Sequence, residues 1–275
     1  MSDRKLIHLD MKKRRRGFER AANSYDKAAV LQREIGDRLE SRLDYVKLEP
    51  SAVLDLGCGT GYISEKLMQR YTKAQIFATD IALNMLNKTV EKGGWFRKPH
   101  ILCSEAECLP FSDDSFDLVI SNLMLQWCDD LPHVFTGVNR ILKPDSLFSF
   151  TSFGPDTLRE LRESWQCVDD HPHTNPFIDM HDVGDALMQA GFQQPVLDME
   201  MITVHYPSLR ALMMDLKNIG ASNATLERQR GLTGKETLER LEKAYQPFRL
   251  SDGLYPLSYE VVYGHAWSSA GIAIA

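Results

Sequence analysis

Asp55, Gly57, Gly59 and Gly61 follow the apolar pair Val53-Leu54 at alternate positions, and a helix-like segment opens at Tyr62. An acidic residue and three glycines in that order read as a strand end, a tight turn and a helix N-terminus. Glycine is needed where the backbone leaves the conformations other residues favour, or where a ligand approaches the main chain closely. The spacing G-x-G-x-G lacks the last interval of the dinucleotide fingerprint, and no Lys-Ser or Lys-Thr follows as in a phosphate loop. A nucleoside-type ligand without a phosphate is the stronger reading. Nineteen residues beyond Gly61, the run Gln75-Ile76-Phe77-Ala78-Thr79-Asp80 ends in a second carboxylate. In a doubly wound sheet an acid at that place accepts both hydroxyls of a ribose. It can also cap the next helix, and the two roles are compatible.

Further on come Glu105-Ala106-Glu107-Cys108-Leu109-Pro110-Phe111 and Ser115-Phe116-Asp117-Leu118-Val119-Ile120-Ser121-Asn122. The ordered series, across roughly residues 50 to 150, resembles the class I S-adenosylmethionine-dependent methyltransferases. That resemblance implies S-adenosylmethionine as cofactor, with Asp55, Gly57, Gly59 and Gly61 around its methionine end and Asp80 on the ribose. It sets Ile81 and Met85 beside the adenine, Glu105 and Ala106 near the adenine amino group, and Asn122 and Leu123 on the floor beneath the sulfonium. One departure is visible: Leu142-Lys143-Pro144 is followed by Asp145-Ser146, where the family usually has two glycines.

These residues need elements to hold them. Strands are expected at 52–56, 75–80, 99–104, 115–121 and 147–153, with helices at 62–71, 82–91 and 131–142. This βαβ rhythm predicts an α/β, Rossmann-like, doubly wound and mostly parallel seven-stranded sheet. Ligands on such sheets bind at the carboxyl ends of the strands, where the residues above fall. Leu31, Ile35, Leu39 and Leu43 recur every four positions within 18–43, an amphipathic helix forming an N-terminal cap over residues 1–45. A cofactor-binding core is expected at 46–207, a helical lid insertion at 208–250 and a closing strand with a tail at 251–275. Within this arrangement 179–190 reads as a helix, 196–206 as a strand, 208–219 and 235–245 as helices, and 255–267 as the last strand.

The chain of 275 residues suits one large domain or a core with a subdomain, and its net charge of −6 argues against general nucleic-acid affinity. Five cysteines with no C-x-x-C spacing indicate neither a disulfide framework nor a zinc site, and no metal is expected. No apolar run approaches the ~20 residues of a membrane span. The basic run Lys12-Lys13-Arg14-Arg15-Arg16 is interrupted around it by Asp10 and Glu19, so it reads as a solvated helix start, and the cytoplasm is the expected compartment.

Several stretches together resemble one subfamily: Asn23-Ser24-Tyr25-Asp26, Ser121-Asn122-Leu123-Met124-Leu125-Gln126-Trp127, Phe153 to Leu161, Met214 to Ala221, and Arg230-Gly231-Leu232-Thr233-Gly234-Lys235. They are similar to the malonyl-acyl-carrier-protein O-methyltransferases of biotin synthesis over about residues 10 to 267. This implies methyl transfer to the free carboxylate of a malonyl thioester, on carrier protein or coenzyme A; the oligomeric state is left open by the sequence, with a monomer favoured. In several enzymes of the class a Tyr-Asp segment closes over the cofactor, and Tyr25 takes that role here unless it is a packing residue of the cap. Arg159, at the start of the helix after the fifth strand, is the candidate for gripping the carboxylate in a bidentate fork. A surface pairing with Glu160 or Glu163 is its alternative. His173 and Asn175 are candidates in a substrate loop, against a purely structural histidine.

Docking of an acidic carrier would need a local basic patch. Arg228, Arg230, Lys235, Arg240, Lys243 and Arg249 gather in the lid, with Arg210 and Lys217 close in sequence. Interspersed glutamates make an ordinary solvated helix the alternative. Three other functions remain open at this stage. They are methyl transfer to a small molecule or quinone precursor, a protein hydroxylase like the complex I assembly factors that share the Phe-Gly-x-Asp-Thr-Leu stretch, and a non-catalytic cofactor-binding protein.

Overall fold

The computed structural model describes residues 9–95, 97–221, 223, 225 and 234–269. Five strands run parallel: β1 (Ala52–Leu56), β2 (Gln75–Asp80), β3 (His100–Cys103), β4 (Phe116–Asn122) and β5 (Leu142–Phe153). β6 (Gln193–Tyr206) and β7 (Tyr255–Trp267) complete a sheet of order β3-β2-β1-β4-β5-β7-β6, in which β7 is antiparallel to both neighbours. The expected seven-stranded, mostly parallel sheet is therefore present.

Alternate residues of each strand face opposite layers, as the pleat requires. Val53, Ile76, Leu118 and Ile120 pack with Leu39, Ile63 and Leu67 of α3 (Val30–Ser41) and α4 (Tyr62–Arg70). Leu54, Leu56 and Val119 face the other way, onto Val134, Phe135 and Leu187 of α6 (Leu131–Ile141) and α8 (Met180–Gln189). Ala78 meets Leu86 of α5 (Leu83–Lys92) on the α3 and α4 side. A further core lies beyond the carboxyl end of β5. There α7 (Arg159–Gln166), α9 (Leu209–Asn218) and α10 (Lys235–Tyr245) bury Leu161, Trp165, Leu212 and Tyr245 against Phe153, Tyr255 and Tyr259. α9 and α10, both between β6 and β7, thus share a core with the sheet.

Two expectations change. The single helix within 18–43 is three: α1 (Met11–Ala21), α2 (Tyr25–Ala28) and α3, followed by a 3₁₀ turn over Arg42–Tyr45. The breaks fall at Ala22–Ser24 and at Ala29, whose ψ of 46° leaves the helical region. β5 also begins earlier than 147, because it bulges between its pairings Phe116–Leu142 and Leu118–Leu147. Asp145 occupies the bulge at φ +56°, taking the left-handed conformation that aspartate tolerates and glycine would normally supply.

Candidate functional site

The turn after β1 is built differently at each glycine. A Cβ on Gly57 (φ +76°) would lie 2.2 Å from Met124 Cγ, and one on Gly61 (φ +84°) 2.8 Å from Thr89 Cα. A Cβ on Gly59 (φ +54°) would meet nothing within 4 Å, because that residue faces open space. Gly57 and Cys58 donate their amides to Thr79 O at 2.8 and 2.9 Å, tying the turn to β2. Gly59 N donates to Asp80 Oδ2 at 3.0 Å and Ala82 N to Asp80 Oδ1 at 2.8 Å, so the carboxylate is aimed before any ligand arrives. Burial raises the Asp80 pKa to about 6, against the lowering effect of those amides. Asp55 lies beneath, accepting from the Ser64 hydroxyl at 2.6 Å, and burial, with the charge of Asp80, lifts it to about 7.

Above the turn is a cavity of about 550 Å³, inside the ~300–1,000 Å³ range of small-molecule sites. Gly57, Gly59, Asp80, Ile81, Met85, Glu105, Ala106, Asn122 and Leu123 all line it, with Tyr25 and His173. Asp55 instead lines an adjoining chamber of about 40 Å³, which shares Tyr25, Gly57, Gly59 and Asn122 with the main cavity. Gly61 lines neither and packs on Thr89, so its place is behind the turn rather than around a ligand.

The cavity also takes residues that the sequence reading passed over. Seven buried side-chain polar atoms have no hydrogen-bond partner among the described residues, and five belong to residues lining this cavity. They are Arg14 Nε, Thr79 Oγ1, Ser104 Oγ, Glu107 Oε2 and Gln126 Oε1. Buried polar atoms are almost always paired, so this concentration fits a polar, hydrogen-bonding ligand such as a nucleoside. Ser104 directly follows β3, and the carboxyl-end rule alone would have found it. Arg14 corrects the reading of the basic run as solvated: it is 5% exposed, donates to Trp127 O, and shares a helix face with Phe18 and Ala21. Its signal was the i, i+4, i+7 spacing with those two residues.

Asn122 is fixed from both sides, donating to Gln32 O at 3.0 Å and accepting from Thr151 Oγ1 at 2.8 Å. Leu123 follows at φ +53°, its amide bonded to Thr151 Oγ1 at 2.9 Å. A branched side chain in that region carries backbone strain that its surroundings must hold. Tyr25 closes the cavity from the cap. Burial and the charges of Asp80 and Asp26 push its phenol above the ordinary tyrosine range, so it is a neutral donor at physiological pH.

The far side of the cavity hangs from β7. Glu260 accepts from the Asp156 amide at 2.7 Å, and Glu160 accepts from Ser258 N and Oγ at 3.0 and 2.6 Å. Both glutamates are buried, and they lock the β5–α7 loop in place. Thr157, Leu158, Leu161 and Trp165 then face the cavity, which turns Arg159 outward. Its side chain is 48% exposed, lies 3.8 Å from the buried Glu160 and does not line the cavity, which is the arrangement of its alternative, a pairing with Glu160. His173 does line it, its ring flat on Trp165 at 3.6 Å and its Nε2 2.8 Å from Asp169 Oδ1. Asp169 is held below the usual carboxylate range: partial burial pushes it up, and the His173 and His171 contacts more than offset this. Cations do reach the cavity, from Arg14, Arg210 and Lys217. Of the basic residues expected to dock a partner, Arg240 donates to Val168 O, Arg249 to Gly253 O, and Lys235 lies 3.6 Å from Glu239. Arg228 and Arg230 lie outside the described residues.

Comparison with known proteins accords with this geometry. The family described as a methyltransferase domain matches residues 54–150. A malonyl-acyl-carrier-protein O-methyltransferase from Gallionella capsiferriformans is 46% identical over 268 residues, covering 95% of this chain and 92% of that one. Its counterpart from a Methylovorus species is 48% identical over 265 residues, covering 94% and 89%. The chain belongs to the malonyl-acyl-carrier-protein O-methyltransferase family. Members are S-adenosylmethionine-dependent enzymes, and S-adenosylmethionine is the cofactor that the Gly59–Asp80 cradle and the unpaired polar atoms fit. Solved structures agree on the fold. The YcgJ protein of Bacillus subtilis has a TM-score of 0.58 at 16% identity, covering 85% of this chain and 98% of its own. Phosphoethanolamine N-methyltransferase 2 of Haemonchus contortus, bound to S-adenosylhomocysteine, has a TM-score of 0.51 at 16% identity, covering 85% and 52%. Among the described residues no helix is long and apolar enough to cross a membrane.

Proposed function

We propose that this protein esterifies the free carboxylate of a malonyl thioester carried on acyl-carrier protein, disguising it for chain elongation toward a pimeloyl, biotin-precursor chain. The observation that carries the reading, beside family membership, is one cavity that is polar at the glycine turn and apolar under α7 and α9. Bound there, S-adenosylmethionine supplies an electrophilic methyl group on a sulfonium. Asp80, aimed by the Gly59 and Ala82 amides, takes the ribose hydroxyls. Asn122 and the strained Leu123 form the floor, and Tyr25 with Phe18 covers the site from the cap. Phe153, Leu161, Trp165 and Phe177 keep water from the apolar half.

A malonyl carboxylate, with a reference pKa of ~4, is already ionised at neutral pH. No base has to remove a proton, and alignment with exclusion of water supplies the rate. His173 and Asp169 form the one arrangement that favours a second reading, a base acting on a small-molecule hydroxyl or carbon acid. Its ring is committed to Trp165 and Asp169, so in the favoured reading it shapes the pocket. We place the protein in the cytoplasm as a monomer acting on a carrier protein, without nucleic-acid or membrane partners.

The test is incubation with S-adenosylmethionine and malonyl-acyl-carrier protein, followed by intact-mass spectrometry of the carrier. The expected result is a gain of one methylene mass that is absent with acetyl-carrier protein, which has no free carboxylate. Cofactor binding without that gain would move the function to the small-molecule reading, and a bell-shaped kcat profile abolished in His173→Gln would support the base.

A further inference from the structure

α9 presents two unlike faces. Leu209, Leu212, Leu216 and Ile219 are buried in the core beneath it, and Tyr206 donates to Asp215 Oδ2 at 2.8 Å. Ser208 caps its start through Ala211 N, and Ser24 of the cap donates to Asn218 O at 3.2 Å near its end. The helix is therefore fixed in rotation as well as in place. Its other face carries Arg210, Met213, Met214 and Lys217, at the i, i+3, i+4, i+7 spacing of one helical stripe, and all four line the cavity. Arg210, Met214 and Lys217 are exposed while lining it, which puts them at its mouth.

Neither cation of this stripe makes a hydrogen bond or an ion pair among the described residues. Basic residues elsewhere are mostly engaged: Arg38 with Glu200, Arg42 with Asp198, Arg70 with Glu40, Lys92 with Asp26 and Lys143 with Asp117. On a chain of net charge −6, two unpaired cations at the rim of the principal cavity are complementary to an anionic substrate. Seven residues of helix separate them by roughly 10 Å along the axis, with two flexible, apolar methionines between. An anionic group on a long, mixed-polarity tether suits such a stripe better than the small malonyl carboxylate, which must lie deeper, beside the cofactor.

We propose that Arg210 and Lys217 hold the phosphodiester of the carrier protein's thioester arm at the cavity mouth, while Met213 and Met214 bear on the arm as it runs inward. The inference rests on the carrier-thioester reading and adds to it the means by which the arm is recognised. Exposed cations of this kind set capture of the substrate and its salt dependence more than the chemical step.

The test compares two malonyl thioesters differing by one phosphate, malonyl-phosphopantetheine and malonyl-pantetheine, with malonyl-carrier protein and malonyl-coenzyme A alongside. In Arg210→Gln/Lys217→Gln the ratio of kcat/KM for the phosphorylated over the phosphate-free thioester should fall roughly tenfold, with KM and not kcat moving for malonyl-carrier protein. Arg210→Lys should restore part of it. An unchanged ratio, including a uniform loss on both thioesters, overturns the proposal, because damage to α9 would slow both alike. An effect confined to malonyl-coenzyme A overturns it too, since the cations would then read nucleotide phosphates. If the unaltered protein methylates none of the four thioesters, the underlying function reading is what fails.

Discussion

The two ends of the cavity are made of different material. The cofactor end is mainly backbone and short acidic side chains: a turn whose amides hold Thr79 and Asp80, within one βαβ unit. The substrate end is built from side chains drawn from α7, the 171–177 loop, α9 and β7, and its shape depends on two buried glutamates bonded across more than ninety residues of sequence. The first can be conserved in form with little room for change. The second can be re-cut for a different acceptor without disturbing the first, and that explains how a shared fold serves many substrates.

The sharpest way to break this comparison is at the glycines. Gly57→Ala, in a left-handed backbone against Met124, should cost about 3 kcal/mol of folding stability, measured by urea unfolding. Gly59→Ala has open space and should cost only about 1 kcal/mol, yet should weaken cofactor binding by calorimetry because its methyl group enters the cavity. Equal stability losses would remove the distinction between packing glycine and ligand-facing glycine.

At the other end, Glu160→Ala leaves the Ser258 amide and hydroxyl without their acceptor, at a cost of about 2–3 kcal/mol. Substrate KM should rise while the cofactor Kd stays within about twofold. A matching loss of cofactor affinity would mean that the two ends are not separable.

Protonation sharpens the same contrast. Asp55 and Asp80 titrate at about 7 and about 6 when folded, above the ~4 of an unfolded aspartate. Between those values the folded protein keeps protons that the unfolded chain has released, so both acids make the cofactor-free protein less stable as pH rises from 4 to 7. His265, which burial holds below the ordinary histidine range, acts in the opposite sense. The contribution is therefore read by difference, and Asp55→Asn should gain stability relative to the parent on going from pH 5 to pH 8. In its proposed role Asp80 must be ionised to accept ribose hydroxyls fully, so cofactor affinity should fall as pH drops below 6, and Asp80→Asn should weaken it by about 1–2 kcal/mol above that pH, with the deficit shrinking below it. The smallest effect belongs to Arg159→Ala, a half-exposed guanidinium at a long 3.8 Å from a Glu160 carboxylate already bonded to Ser258, for which KM and stability should move by no more than about 0.5 kcal/mol. A large rise in KM there would return the carboxylate to Arg159.

What could be read from the sequence follows the same division. Strand ends at Asp55, Asp80 and Asn122 were visible because an apolar run stopping at a polar residue marks both a strand boundary and, in this fold, a ligand position. That Arg159 does not line the cavity was not legible, because being next to β5 in sequence says nothing about helical phase, and here Thr157, Leu158, Leu161 and Trp165 take the inward positions. The burial of Glu160 and Glu260 could not be read, since nothing local reveals that a glutamate will find its donors about a hundred residues away. Arg14 was hidden inside a basic run whose other members gave it a solvated character. The breaks in the cap helix escaped notice because Ala22 and Ala29 are strong helix formers, overridden there by packing.

The placement of β7 has a consequence for how the molecule comes into being. β1 to β5 follow one another along the chain and can pair with neighbours already made, but β5 and β6 meet only through β7, the last strand in sequence. During synthesis the cofactor end is complete once residue 153 has emerged. The acceptor end has neither Tyr259 nor Glu260 until more than a hundred residues later. A nascent chain paused in that interval exposes β5 as an unsealed edge, the point at which a chaperone is most needed.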